Sequence, residues 1–182
     1  MLANALTLLF FTPRMEIQTI ESFLDYYGKI RQRTDRVVAL VPPQQLEWRC
    51  RPGGFSFGDT IRHIVAIERY LYAEIAAGRP SAYTGCGRNL ADGYTEVLNF
   101  YRRLRHESTT IFSALADGDL HRKCLTPDNG QITLWKWLRA LVEHEIHHRG
   151  QLYAYLGMMD VPTPPIFGFT SEEVVRQSAT GG

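Results

Sequence analysis

Three of the chain's six histidines, His144, His147 and His148, fall within five residues of the stretch LWKWLRALVEHEIHHRGQLYAYL, Leu134 to Leu156. The apolar spacing of this stretch is helical, and each helical residue advances by about 100°. His144 and His148 therefore stand about 40° apart on one face, a turn apart, where two imidazoles can grip one metal ion. Gln151 and Tyr155 continue the stripe. His147 falls about 300° round from His144, away from the side where Leu138, Leu141, Leu152 and Leu156 gather, and is expected to face solvent or to stand behind the ligands. Two histidines hold a metal poorly. Zinc-type sites take three or four protein ligands, so a third must come from another segment.

The segments that position these residues read as four amphipathic helices. Thr19 to Val41 carries Ile20, Phe23, Leu24, Tyr27, Ile30, Val37, Val38 and Val41 at three-and-four spacing, and Pro42-Pro43 ends it. Ser56-Phe57-Gly58-Asp59, a hydroxyl cap with a carboxylate three residues later, opens the second helix. Its inner face reads Thr60, His63, Ile64, Ile67, Tyr70, Leu71, Glu74 and Ile75, and Gly78 with Pro80 stops it. Residues 79 to 92 exceed what a helix hairpin needs and allow a crossover between helices two and three. The third helix runs from about Tyr94 to Leu115, with Val97, Tyr101, Leu104, Ile111 and Phe112 inward and Arg102, Arg103, Arg105 and Glu107 outward. Pro127-Asp128-Asn129-Gly130 predicts a small hairpin before the fourth helix. Beyond Gly157 a proline-rich tail with one helical turn at Ser171 to Val175 reads as a strap across the bundle. The expected fold is all-α, a four-helix bundle in one domain over residues 1–182.

With 45% apolar and 21% charged residues, the composition is that of a soluble globular chain. Twenty Lys plus Arg against 19 Asp plus Glu leave a formal charge of +1, no field for gathering a nucleic-acid backbone. Cys50, Cys86 and Cys124 form no CxxC pair, and reduced thiols in a cytoplasm are the expectation. The opening MLANALTLLFFTPR has an apolar run with no basic residue before it and no small-residue cleavage pattern after it, so it is not read as a signal peptide. No other stretch approaches the roughly 20 apolar residues of a membrane span.

Taken alone, His63 on an apolar face is the kind of residue that a core holds by hydrogen bonding. The pair at 144 and 148 changes the balance. Each buried unsatisfied polar group costs about 1–3 kcal/mol, and one divalent ion satisfies all three imidazoles together. Three neutral imidazoles leave an open position, the arrangement of a catalytic site; zinc suits it first, with nickel or iron as alternatives. Glu145, also on the packed side, either orients a ligand imidazole or belongs to a partly buried salt bridge. Arg149 pairs with Glu145 or meets an acidic substrate. Gln151 and Tyr155 either donate to substrate or bound solvent, or are packing and polar-edge residues. Gly150 in mid-helix costs about 1 kcal/mol against Ala, which a close approach by another backbone would explain.

The layout FSFGDTIRHIVAIERYL on one helix and HEIHHRGQLYAYLG on the last resembles the damage-inducible DinB-like superfamily of bacterial metal-binding four-helix bundles. The resemblance covers roughly Ile17 to Met158 and is most specific in the final H-x-x-x-H-R-G-Q-L, His144 to Leu152. It implies a metal held by one histidine of the second helix and two of the fourth, here His63, His144 and His148. Members with known activity include bacillithiol-dependent thiol transferases and mycothiol-dependent maleylpyruvate isomerases. The expected function is therefore a metal-dependent thiol S-transferase or hydrolase acting on a small molecule, with a low-molecular-weight thiol as partner. A divalent ion can hold a thiol as its nucleophilic thiolate, or lower the pKa of bound water toward about 7. A homodimer through exposed helix faces is expected from the resemblance and from the 12% aromatic content. Two rivals stand beside this reading. His144 to His148 also satisfies HExxH, the zinc-protease helix, with Glu145 as general base and Glu172 or Glu173 as third ligand; no strand pattern precedes it, and His63 is left unexplained. A non-catalytic module, its metal merely clamping two helices while an apolar face binds a partner or a second copy, is the other.

Overall fold

Thr19 and Ser56 each open a helix by the same reciprocal exchange. The Thr19 hydroxyl accepts from the Ser22 N–H at 3.0 Å while the Ser22 hydroxyl accepts from the Thr19 N–H at 3.3 Å, which starts α1, Ile20–Val38. Ser56 and Asp59 repeat it at 3.0 and 3.1 Å to start α2, Phe57–Ile67. Each pair satisfies two of the N–H groups that a helix start leaves without partners. This computed structural model describes residues 17–165 and 167–180. The apolar run at 1–14, and with it the signal-peptide question, lies outside the described residues.

The helix begun by α2 continues through a π-helical stretch, Glu68–Ala73, into a last turn, α3, Glu74–Ala76, and Gly78 at φ +77° stops it. A π turn takes in an extra residue and so changes which side chains face inward. Tyr70 and Leu71, expected inward, are only half-buried, whereas Glu68, Tyr72 and Ala73 are buried in their place. The remaining elements are α4, Tyr94–Ser113, a hairpin of β1, Lys123–Leu125, and β2, Gln131–Thr133, then α5, Leu134–Met158, and α6, Ser171–Thr180. In the hairpin, Cys124 faces Ile132, and Asn129 takes the left-handed turn position at φ 62°. The final helix is longer than the single turn expected. Before it, the tail touches α5 and α1: Tyr153 donates to the Pro164 carbonyl at 3.3 Å, and the Arg33 guanidinium lies over the Phe167 ring at 5.1 Å.

α1 packs against α5 and α4, whereas α2 and its π stretch pack against α4 and α5. Consecutive helices α1 and α2 thus stand diagonally in an all-helical four-helix bundle, and residues 77–93 make the long crossover to α4. The interior has two apolar clusters. One gathers Phe23, Phe112, Leu120, Leu138 and Leu141, and the other Phe57, Ile61, Val65, Leu104, Leu152 and Leu156. Each such side chain contributes about 1.5–3 kcal/mol on burial.

Between the clusters each of the four bundle helices carries charge: Arg31, nearly buried, on α1, and buried Glu68 in the π stretch, Arg105 on α4, Glu145 and Arg149 on α5. Arg105, expected outward, is 8% exposed. Its Nη2 and Nη1 donate to Glu145 across the bundle at 2.7 and 3.2 Å, and this bidentate pairing holds it inside. Arg31 pairs with Glu68. The Tyr27 hydroxyl lies 2.8 Å from Glu145 and 3.1 Å from Glu68, and gives its one proton to the nearer. Burial pushes the Glu145 carboxyl up, but the Arg105 charge and hydrogen bond outweigh it and hold it below the ordinary value.

Candidate metal centre

α2 brings His63, and α5 brings His144 and His148, to one point on the α2–α5 side of the bundle. One nitrogen from each ring lies within 4.8 Å of the others, and His63 Nε2 is 3.0 Å from His144 Nε2. Zinc bound tetrahedrally at about 2.0–2.1 Å separates its ligand nitrogens by about 3.4 Å, close to the His63–His144 separation and inside the span that holds all three. Burial lowers all three imidazoles. Desolvation, then the charge of His148, takes His63 to about 4; desolvation with His148 and His63 takes His144 to about 3; desolvation also lowers His148. At neutral pH all three rings are uncharged, with one of the two facing Nε2 atoms of His63 and His144 donating to the other at 3.0 Å; a neutral imidazole carries one lone pair, so the donor set fits a divalent metal that takes the place of that shared proton. His147 is exposed, its ring 4.9 Å from that of His148 and outside the group.

Two hydrogen bonds orient the rings from behind. Gln151 Oε1 lies 3.0 Å from His148 Nδ1 and accepts its proton, while Gln151 Nε2 donates to the Tyr155 hydroxyl at 2.7 Å. Tyr155 is itself wedged edge-on against Trp48 and Phe57. Both ends of Gln151 are therefore engaged, and it holds His148 from behind. On the other side the Tyr83 hydroxyl lies 2.8 Å from His63 Nδ1. Phe55 presents its ring to both His63 and His148, at 5.3 and 6.5 Å. Neither Tyr83 nor Phe55 stood out in the sequence; the one available signal was an aromatic in an otherwise polar crossover and another just before a helix cap. His144 Nδ1 is buried without a hydrogen-bond partner.

Glu145 does not orient an imidazole. It is 1% exposed and its oxygens are taken by Arg105 and Tyr27, which makes it a salt-bridge residue of the core. That placement removes the general base that the HExxH reading requires. Glu172 and Glu173 lie on α6 and are not in the three-histidine group. Arg149 does not pair with Glu145, whose oxygens Arg105 and Tyr27 occupy; its Nη1, buried, donates to the Ile30 carbonyl at 3.3 Å. Gly150 is exposed, and a Cβ there would meet nothing within 4 Å, so no neighbouring backbone explains it.

Comparison with known proteins bears on this geometry. A DinB-like protein from Bacillus cereus ATCC 10987 superposes with a TM-score of 0.65 at 21% identity, over 82% of this chain and 98% of its own. The DinB-like protein YjoA from Bacillus subtilis gives 0.64 at 18%, over 80% and 96%. YfiT from Bacillus subtilis, described as a probable metal-dependent hydrolase with an unusual four-helix bundle topology, gives 0.62 at 18%, over 79% and 89%. At such identities the likeness shows the fold. No curated protein matches the sequence. The family model of the DinB superfamily matches residues 26–152, more than half of the chain and a span that contains His63, His144 and His148. The chain belongs to the DinB superfamily.

Proposed function

We propose that this chain is a metal-dependent enzyme that activates a small nucleophile, a low-molecular-weight thiol or water, at a divalent ion held by His63, His144 and His148. One observation supports this above the others: three uncharged, half-buried imidazoles converge, and among the described residues no carboxylate or thiol completes the set. A closed structural site would supply a fourth protein ligand, whereas three leave a place for a reactant. Zinc is the first choice for an all-nitrogen set, with nickel or iron next. A bound ion supplies Lewis acidity, favouring the deprotonated form of a thiol or water at neutral pH. The chain's own residues do the rest: Gln151 and Tyr83 hold two rings in orientation, and Phe55 forms an apolar wall beside them.

The description of YfiT supports the hydrolytic branch, and the resemblance to a superfamily whose members of known activity include thiol-dependent enzymes supports the thiol branch. A small-molecule substrate, a homodimeric assembly and a reducing cytoplasm, in keeping with the free Cys50, Cys86 and Cys124, complete the proposal. Among the described residues no helix is long and apolar enough to cross a membrane. The test is metal analysis of the purified chain, followed by turnover of a chromogenic electrophile with added small thiols and of an activated ester without them. Stoichiometric metal and chelator-sensitive turnover in either assay support the proposal and choose its branch. A folded chain that takes up no divalent metal overturns it, and bound metal with no turnover in either assay leaves the non-catalytic module.

A further inference from the structure

The crossover between α3 and α4 is tied down at both ends. The Ala82 N–H and the Ser81 hydroxyl donate to the Tyr70 carbonyl, in the π stretch, at 2.7 and 3.3 Å. Farther along, the fully buried Arg62 donates from Nε to the Cys86 carbonyl at 2.9 Å and from Nη1 to the Ala91 carbonyl at 3.1 Å. Between these ties Tyr83 is delivered to His63: hydroxyl to Nδ1 at 2.8 Å, rings edge-on with centroids 5.8 Å apart.

An imidazole that offers Nε2 to a metal keeps its proton on Nδ1, and in a half-buried site that proton needs an acceptor. The Tyr83 oxygen is the acceptor in place. His63 Nε2 is the nitrogen turned toward His144, so the two edges of the ring already have separate tasks. Gln151 does the same for His148 from within α5, one turn along. Tyr83 differs because it belongs to no helix. Its position depends on the π stretch and on Arg62, the residue just before His63.

We propose that Tyr83 is the positioning residue for His63, accepting its Nδ1–H and so selecting the tautomer whose Nε2 lone pair faces the cluster. The proposal rests on the metal-centre reading above. A phenylalanine at this position would keep the ring contact and lose only the acceptor oxygen, which separates a hydrogen-bonding role from packing.

The experiment uses the full chain as wild type, Tyr83→Phe and Tyr83→Leu. Long-range nitrogen–proton spectra of the metal-free proteins read the His63 tautomer, zinc competition against a chromophoric chelator reads affinity, and melting temperatures check the fold. The expected results are an Nδ1–H His63 in wild type, loss of that preference in Tyr83→Phe, and zinc binding weaker by about 10- to 100-fold. Tyr83→Leu should add little further loss. A wild-type His63 protonated on Nε2, or zinc affinity unchanged in Tyr83→Phe, overturns the assignment. If the tautomer changes as expected but wild type takes up no zinc, the metal reading fails while the hold of Tyr83 on the ring stands.

Discussion

Replacing Glu145 by Gln takes one negative charge from the middle of the bundle and leaves the side chain's shape intact. Arg105 then keeps at most one of the two bonds it makes to Glu145 at 2.7 and 3.2 Å, since only one end of the amide accepts, and its other buried carboxylate, Glu68, is 3.8 Å away and already paired with Arg31. At 1% exposure no water takes the place of the lost charge. The amide also turns an NH2 group toward Arg105 or Tyr27, donor against donor. Removing one partner of a buried ion pair costs about 3–5 kcal/mol. For a chain of this size each kcal/mol lowers the melting temperature by about 2–4 °C, so Glu145→Gln should melt about 6–20 °C below wild type. Thermal unfolding followed by far-ultraviolet circular dichroism, on metal-free protein, measures the loss without any contribution from a bound ion. Held below its melting transition, the variant should still bind zinc and turn over as wild type does, since Glu145 faces the core. A melting temperature within about 2 °C of wild type, less than about 1 kcal/mol on that scale, would refute the account of the charged layer. A well-folded variant that bound zinc but had lost its turnover would return Glu145 to the role of general base.

Further expectations concern the site and its helix. His63→Ala, His144→Ala and His148→Ala should each lose stoichiometric zinc, while His147→Ala, Glu172→Ala and Glu173→Ala keep it; metal content of folded, purified variants decides, and retention by His63→Ala defeats the three-histidine site. Folded His63 and His144 sit at about 4 and about 3, below the ordinary 6.5, so the unfolded chain binds their protons first. Their contribution to stability is therefore whole above pH 6.5 and is lost as pH falls through about 4 and about 3. The urea midpoint of metal-free protein should decline across that window, and a midpoint that rose on acidification would contradict it. Gly150→Ala should stabilise by about 0.4–1 kcal/mol, because the position is helical, exposed and open to a Cβ. A lowered melting temperature there would mean that the glycine serves a contact absent from the monomer.

How much of this was legible in the sequence follows from how local each determinant is. The cap at Ser56, the turn at Asn129 and the stop at Gly78 are written in a few adjacent residues, and the structure has them where the sequence put them. The 40° relation of His144 to His148 and the outward turn of His147 follow from one undistorted helix. The second helix is different. Counting at 100° per residue fails across Glu68–Ala73, where the wider π turn buries Glu68, Tyr72 and Ala73 in place of Tyr70 and Leu71, although Glu74 and Ile75 beyond it are buried as expected. The sequence places Arg105 outward for another reason: an arginine on a helix flank reads as solvated unless its partner is known, and Glu145 lies 40 residues away. Tyr83 carries no local signal either, since its meaning depends on how the crossover is tied to the Tyr70 carbonyl.

The charged layer has a consequence for which bundle this sequence can make. Helices that meet only through leucines and valines can slide past one another by a turn, about 5.4 Å, and still bury the same amount of apolar surface. Here such a slide would bring Glu145 opposite Ser108 or Tyr101 instead of Arg105, and would leave both of these buried ions without the partner that the present alignment gives them. The layer thus acts as a vernier, with one alignment of α4 on α5 at which its marks coincide. Since His144 precedes Glu145 directly, the notch that fixes this alignment also sets the height at which the imidazoles of α5 meet His63.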